Sequence, residues 1–251
     1  MHELFGTKHL ILIAISLVLI TLGSIYARKF KFSTVCKALF VIGIISEIVK
    51  IFYYIIANES THHGVLPKND LPFHLCSIQI IFIAIVVFAK SEKFKRFIIS
   101  FMVPSCLLGG IAAILIATDS SRNSNIITVQ YFLYHIAISV FAIYVLTSKE
   151  IKLEIKDYYN CLIFLLIIMF FAIYINSMLS DGVNNTNFMY VVKPPQSGLP
   201  YLNDKNGWFS YIMKYAGLIL VCVTLCYIKP IITAIKGRLQ NKNKTLNEVN
   251  D

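Results

Sequence analysis

The sequence predicts an all-α membrane protein, a polytopic bundle of about seven transmembrane helices with its N-terminus outside and its C-terminus in the cytoplasm. Three observations carry this. Of 251 residues, 57% are hydrophobic and 14% charged, and the mean hydropathy of +0.70 exceeds what a water-soluble domain carries. The apolar residues fall into seven runs, at 8–27, 38–57, 72–89, 97–117, 127–147, 158–179 and 210–228. Each approaches the roughly 20 residues that cross a hydrocarbon core about 30 Å thick, where helices satisfy the backbone. The third observation is charge. The connections after the first, third, fifth and seventh runs hold sixteen Lys and Arg residues, against five (Lys8, Lys68, Arg122, Lys193, Lys205) on the opposite side. The positive-inside rule then sets the orientation. One seven-helix domain over 1–228 and a basic polar cytoplasmic tail over 229–251 account for the chain.

The net charge of +10 is spread in short clusters between apolar runs, a pattern that orients helices and gives no footprint for nucleic acid. The first run lacks a basic leader and a small-residue cleavage site, and Arg28 and Lys29 follow it directly. It is read as a retained span and not a signal peptide. In the second run Glu47 and Lys50 need a reason to be in lipid, since each charge costs about 2.5–3.5 kcal/mol there. Three residues apart, they share a helix face and neutralise each other, and Tyr54 extends the stripe. Such a pair either fastens the helix to its neighbours or forms the polar wall of a cavity.

The third run opens as Asp70-Leu-Pro-Phe-His-Leu-Cys-Ser-Ile-Gln79, with Pro72 suited to the first helical turn. His74, Cys76, Ser77 and Gln79 then enter the outer half of the membrane. On a regular helix His74 and Cys76 point about 200° apart, so any base for Cys76 comes from another span. In the fourth run, Pro104 and Gly109-Gly110 predict a kink and a close helix contact. The fifth supplies His135, about 12 Å from its outer end by residue count. Glu47, Lys50, Cys76 and Asn176 lie about 15, 10, 6 and 5 Å from theirs. The two long connections, 58–71 and 180–209, both fall outside; the second, with Asn187, Pro194, Pro195, Gly198, Pro200 and Trp208, is placed to cap an outward cavity. The seventh run has no mid-helix lysine, Lys214 lying near its outer end, which disfavours a retinal receptor. None of the six cysteines pairs across the long outer loops, so they form no disulfide framework. No repeat of the transporter kind is visible, because the polar residues of the first three spans have no later counterpart.

These depths point to one site with two chemical readings. A thiol at Cys76, with His135 as base and His74 and Asn187 positioning an ester or its oxyanion, suits acyl transfer through a thioester. Glu47, Lys50, Gln79 and Asn176 would then line the substrate. Alternatively, Glu47, Lys50 and His135 line a polar pathway in a transporter or lipid-binding protein. No cofactor is implied. His62, His63 and His74 lack a carboxylate or Cys at ligand spacing, so no metal is expected.

The stretch Leu-Pro-Phe-His-Leu-Cys-Ser over 71–77, the intramembrane Glu47 and Lys50, the single His135, and Asn187-Phe-Met-Tyr followed by Pro194-Pro195 and Gly207-Trp208 carry a likeness. Together they resemble the YwaF-like integral membrane proteins of bacteria, from about the second span to the last. That family is related to animal membrane acyltransferases that load polyunsaturated chains into ether phospholipids through a cysteine and a histidine. The resemblance therefore implies phospholipid acyl-chain remodelling in a bacterial plasma membrane, with phospholipid or lysophospholipid as partner. His74, His135, Glu47 and Lys50 match the pattern. The position of the nucleophilic Cys in the animal members, between the Pro and the His, is Phe73 in this sequence. Cys76, three residues on and roughly on the same helix face, is the geometric substitute, and Ser77 is a weaker one.

Overall fold

The computed structural model describes residues 5–57, 65–117, 124–182, 185–195 and 201–250, with side chains as far as residue 240. His62, His63, Gly198 and Pro200 lie outside the described residues. Seven helices are long and apolar enough to cross a membrane. They are α1 (Thr7–Ala27), α2 (Phe32–Phe52, running on into a π-helical turn at Tyr53–Ala57), α3 (Leu75–Phe88, preceded by a 3-10 turn at Lys68–Asp70), α4 (Glu92–Leu115), α5 (Asn125–Thr147), α6 (Ile155–Leu179) and α7 (Trp208–Cys226). The expected all-α bundle is thus observed, with no strand among the described residues. An eighth helix, α8 (Ile228–Asn250), occupies the stretch expected as a polar tail. The end of the bundle that carries the N-terminus is the outer end by the charge rule.

Burial identifies the centre. In the apolar windows of α4 and α5, 61% and 56% of residues are buried, against 28% or less in the other five spans. α1 and α2 pack on α5, α3 sits between α2 and α4, α6 lies along α4, and α7 stands at the edge. The α4–α5 contact is close because Gly110 permits it: a Cβ there would lie 2.2 Å from Ser139 Oγ and 2.9 Å from the His135 carbonyl. In lipid such small-residue contacts replace the hydrophobic effect as the force between helices.

Pro104 stands inside α4 and the helix continues to Leu115. A proline has no N–H to give the carbonyl four residues back, which is Ser100. That carbonyl instead accepts a 2.7 Å hydrogen bond from the hydroxyl of Tyr227, fully buried at the end of α7. The inner end is held further by Arg96, whose Nε and Nη2 donate to the two Asp157 oxygens at 2.7 and 2.8 Å. Asp157 also accepts from the Glu154 backbone N–H, capping α6. A buried carboxylate satisfied by a bidentate guanidinium is a strong arrangement.

Between that end and the polar residues above lies an aromatic layer. Phe101 stacks on Phe164 at 4.5 Å, with Phe82 and Phe97 against the same ring at 5.2 and 5.1 Å. Phe82, Phe101 and Phe164 are all buried, so the inner half of the bundle between α3, α4 and α6 is dry.

Candidate functional site at the recessed start of the third span

α3 has 14 residues, about 21 Å of helix, which is short for a hydrocarbon core of about 30 Å. Its start is set below the outer end of its neighbour. Leu75 faces Gly109, six residues inside the end of α4, or about 9 Å. Non-helical backbone at membrane depth persists only where protein covers it or where it lines a cavity. The helix begins at Leu75 and not at Pro72 as the sequence predicted. Pro72 lies in a turn, and His74 is the extended N-cap at φ −68°, ψ 153°. The 200° separation derived for a regular helix therefore does not describe His74 and Cys76, because only Cys76 is helical.

Around this start the polar residues gather from four spans. On α2, Lys50 Nζ meets Glu47 Oε1 at 2.6 Å, with the side chains 12% and 20% exposed. The π-helical turn follows directly, a distortion that often marks functional positions. Lys50 is near enough to act electrostatically on both His74 and Cys76. The Cys76 sulfur lies beside its own N–H and beside the N–H and hydroxyl of Ser77. The thiol therefore sits among the free N–H groups of a helix N-terminus, where partial positive charge collects. One turn deeper, Gln79 is buried, donating to Ser105 Oγ at 3.0 Å and accepting from the Cys106 thiol at 3.4 Å.

From α5, the Tyr134 hydroxyl donates to the Cys76 carbonyl at 2.7 Å. His135 is buried beside it, its ring 4.1 Å from that of Tyr131. Nδ1 lies 2.6 Å from the Tyr131 carbonyl, and since a carbonyl only accepts, Nδ1 carries the proton and Nε2 the lone pair. That Nε2 is buried without a hydrogen-bond partner among the described residues. Cys76 and His135 consequently do not form the direct hydrogen-bonded pair drawn from the sequence. His135 lies near enough to His74 for the two to act on each other electrostatically. His74 donates through Nε2 to the Asn69 carbonyl at 3.1 Å, which leaves its Nδ1 as the second basic nitrogen of the site.

A short segment of the last outer loop covers His74. Phe188, fully buried, and Tyr190 lie against the imidazole with ring centroids 5.1 and 5.7 Å away. Phe188 also meets Phe73 at 5.5 Å, so the residue in the nucleophile position of the resembled pattern is an aromatic packing contact. The loop is held by its backbone carbonyls. Asn176 Nδ2 donates to Phe188 at 3.0 Å, Tyr215 to Met189 at 3.1 Å, Tyr211 to Tyr190, and Trp208 Nε1 to Val191 at 2.9 Å. Asn176 Oδ1 in turn accepts from the Phe188 N–H at 2.8 Å. Met189 and Tyr190 are held at φ 55° and 54°, a left-handed geometry costing non-glycine residues of order 1–3 kcal/mol each, sustained only where surroundings fix it. Burial, with Cys76 and Tyr215 adding to it, raises the Tyr190 phenol above its ordinary pKa and keeps it protonated.

Two residues assigned to substrate are occupied in this latch. Asn176 spends its amide on Phe188 and on the Ala172 carbonyl. Asn187 accepts from the Val192 and Lys193 N–H groups and donates to the Lys193 carbonyl. Sequence reasoning missed Tyr134, Cys106, Ser105, Tyr211 and Tyr215. Tyrosines near the outer end of a span are common at the membrane interface, so Tyr211 and Tyr215 carry no signal of their own in the sequence.

No curated protein and no solved structure matches the chain. A family model matches residues 4–227, which include all seven spans and stop where α8 begins, and this multi-pass membrane protein therefore belongs to the TMEM164 family.

Proposed function

We propose that this protein remodels the acyl chains of membrane phospholipids, transferring or releasing an acyl group at the recessed start of α3. The observation that carries the reading is the His135 Nε2 lone pair, buried without a partner while Nδ1 is locked by Tyr131. A native interior rarely leaves such a group unsatisfied, and one left so is suited to take a proton. The resemblance to YwaF-like and animal acyltransferase sequences supports the same reading, as does the thiol among helix N-terminal N–H groups beside Lys50.

In this reading the Cys76 sulfur attacks the ester carbonyl of a phospholipid. The thiol proton passes to the His74 and His135 pair, the carbon–oxygen bond breaks, and the lysophospholipid leaves with that proton. The resulting thioester is then attacked by the hydroxyl of a second lysophospholipid, or by water, which restores the thiol. The oxyanion is met by the N–H groups at the start of α3, since the Asn176 amide donates to the Ala172 and Phe188 carbonyls and Asn187 is held by Val192 and Lys193. Lys50, held in place by Glu47, supplies a positive charge beside Cys76 that favours the thiolate. The polar residues stop above the aromatic layer of Phe82, Phe101 and Phe164, which favours a site open to one side over a path across the membrane. The resemblance supports a bacterial plasma membrane as the location.

The test is lipid mass spectrometry on membranes from cells expressing matched amounts of the wild type, Cys76→Ala and His135→Ala. A change in phospholipid acyl composition produced by the wild type alone supports the proposal. A change kept by Cys76→Ala but lost in His135→Ala moves the nucleophile to another group, Ser77 first. No change with any of the three overturns the enzymatic reading.

A further inference from the structure

α8 begins where the family match ends. At Tyr227 the backbone leaves helical geometry, φ −102° and ψ 11°, and the side chain is anchored on Ser100, so the chain changes course at a fixed point. Ile231 then packs with Leu153 and Tyr158 against the buried Cys161, Val223 and Tyr227, which keeps the start of α8 against the inner end of the bundle.

The rest of the apolar face is exposed. Ile228, Ile232, Ile235 and Leu239 are between 45% and 56% exposed. With Ile231 they fall in a stripe about 100° wide at 100° per residue. The basic residues border that stripe on both sides. Lys229 and Lys236 project about 40–60° beyond one edge and Arg238 about 20° beyond the other. Thr233, Gly237 and Gln240 lie opposite. The sequence adds Lys242 and Lys244 further along, and Glu248 is the first acid after Ile228. Long basic side chains at the borders of an apolar stripe reach from the acyl boundary to the headgroup level. Two such helices brought face to face would set like charges against each other, which argues against a second copy as the occupant.

We propose that α8 lies along the inner surface of the membrane, its isoleucine stripe in the acyl boundary and Lys229, Lys236 and Arg238 on anionic phospholipid headgroups. The sixteen-to-five charge asymmetry puts this helix on the cytoplasmic side, the side of that attraction.

Hydrogen exchange of peptides covering 228–240 tests this, with the full-length protein in nanodiscs of phosphatidylcholine alone or with a third of the lipid replaced by phosphatidylglycerol. Exchange slower by at least about tenfold in the anionic discs is expected, and each neutralised cation should reduce that difference by about fivefold. The triple variant Lys229→Gln, Lys236→Gln, Arg238→Gln should lose it, while exchange in α4 and α5 stays unchanged and certifies the fold. Equal exchange in the two lipids for the wild type overturns the proposal. Protection that ignores lipid charge but rises with two copies per disc assigns the stripe to a second chain and overturns it as well.

Discussion

The Tyr227 hydroxyl donates at 2.7 Å to the Ser100 carbonyl, which is the acceptor that Pro104 leaves without an N–H. A helix defect in the middle of α4 is thereby repaired by a residue 127 positions away at the end of α7. Tyr227→Phe should lower stability by about 1–2 kcal/mol, the cost of a buried acceptor without a donor. In Pro104→Ala, which restores the helical N–H, the same Tyr227→Phe change should cost less than half as much. Thermal unfolding of the four proteins of this cycle in detergent measures the coupling, and strictly additive losses would refute the relationship.

Gly109 and Gly110 are adjacent and their substitutions should differ sharply. A Cβ at Gly110 meets the His135 backbone carbonyl at 2.9 Å as well as Ser139 Oγ, whereas at Gly109 its nearest neighbour is the Leu75 side chain at 3.6 Å. Gly110→Ala should destabilise by about 1–3 kcal/mol through forced separation of α4 and α5. Gly109→Ala should be close to neutral. Detergent melting of both variants decides, and equal losses would remove the special place given to Gly110.

The Glu47 and Lys50 pair predicts a sign pattern. Lys50→Met alone leaves a largely buried carboxylate without its cation and should cost about 3 kcal/mol. The double variant Glu47→Gln, Lys50→Met should recover most of that stability. If the proposed chemistry is correct, it should still lack activity, because the charge beside Cys76 is gone. Melting temperature and lipid composition, read together on the same variants, separate the structural from the chemical role.

The latch over His74 should open when its anchors are cut. Asn176→Ala removes the donor to the Phe188 carbonyl and the acceptor of the Phe188 N–H in one step. Limited proteolysis within 185–195 should then accelerate by about tenfold, the change expected for a loss of about 1.4 kcal/mol in local opening. Ser177→Ala, whose exposed hydroxyl bonds only to its own helix at Ile173, should leave the rate unchanged.

The seven spans were legible because a lipid solvent imposes one rule, twenty apolar residues per crossing, which hydropathy reads directly. The Glu47 and Lys50 pair was legible for an equally local reason, its spacing of three on a helix. What stayed hidden depends on pieces distant in the chain. The recess of α3 comes from where Leu75 meets Gly109 and from the loop that covers His74, so Pro72 looked like a first helical turn and the depth count for Cys76 started too far out. The absence of a hydrogen bond from His135 Nε2 to Cys76 has a separate cause. Counting residues gives height along a helix but not the direction in which Nε2 opens. Asn176 and Asn187 were correctly seen as unusual polar residues at an outer rim, yet their amides serve a loop whose carbonyls no sequence pattern announces.

Trp208 is the single tryptophan of the chain, and its indole N–H is bonded to the Val191 carbonyl within the latch. The molecule thus contains one indole, which can be excited at wavelengths its fourteen tyrosines do not absorb, bonded to the segment that covers His74. Its emission colour and quenching by a water-soluble agent report on that cover in the unmodified protein. An opening of the latch can be timed by stopped-flow optics with no label attached.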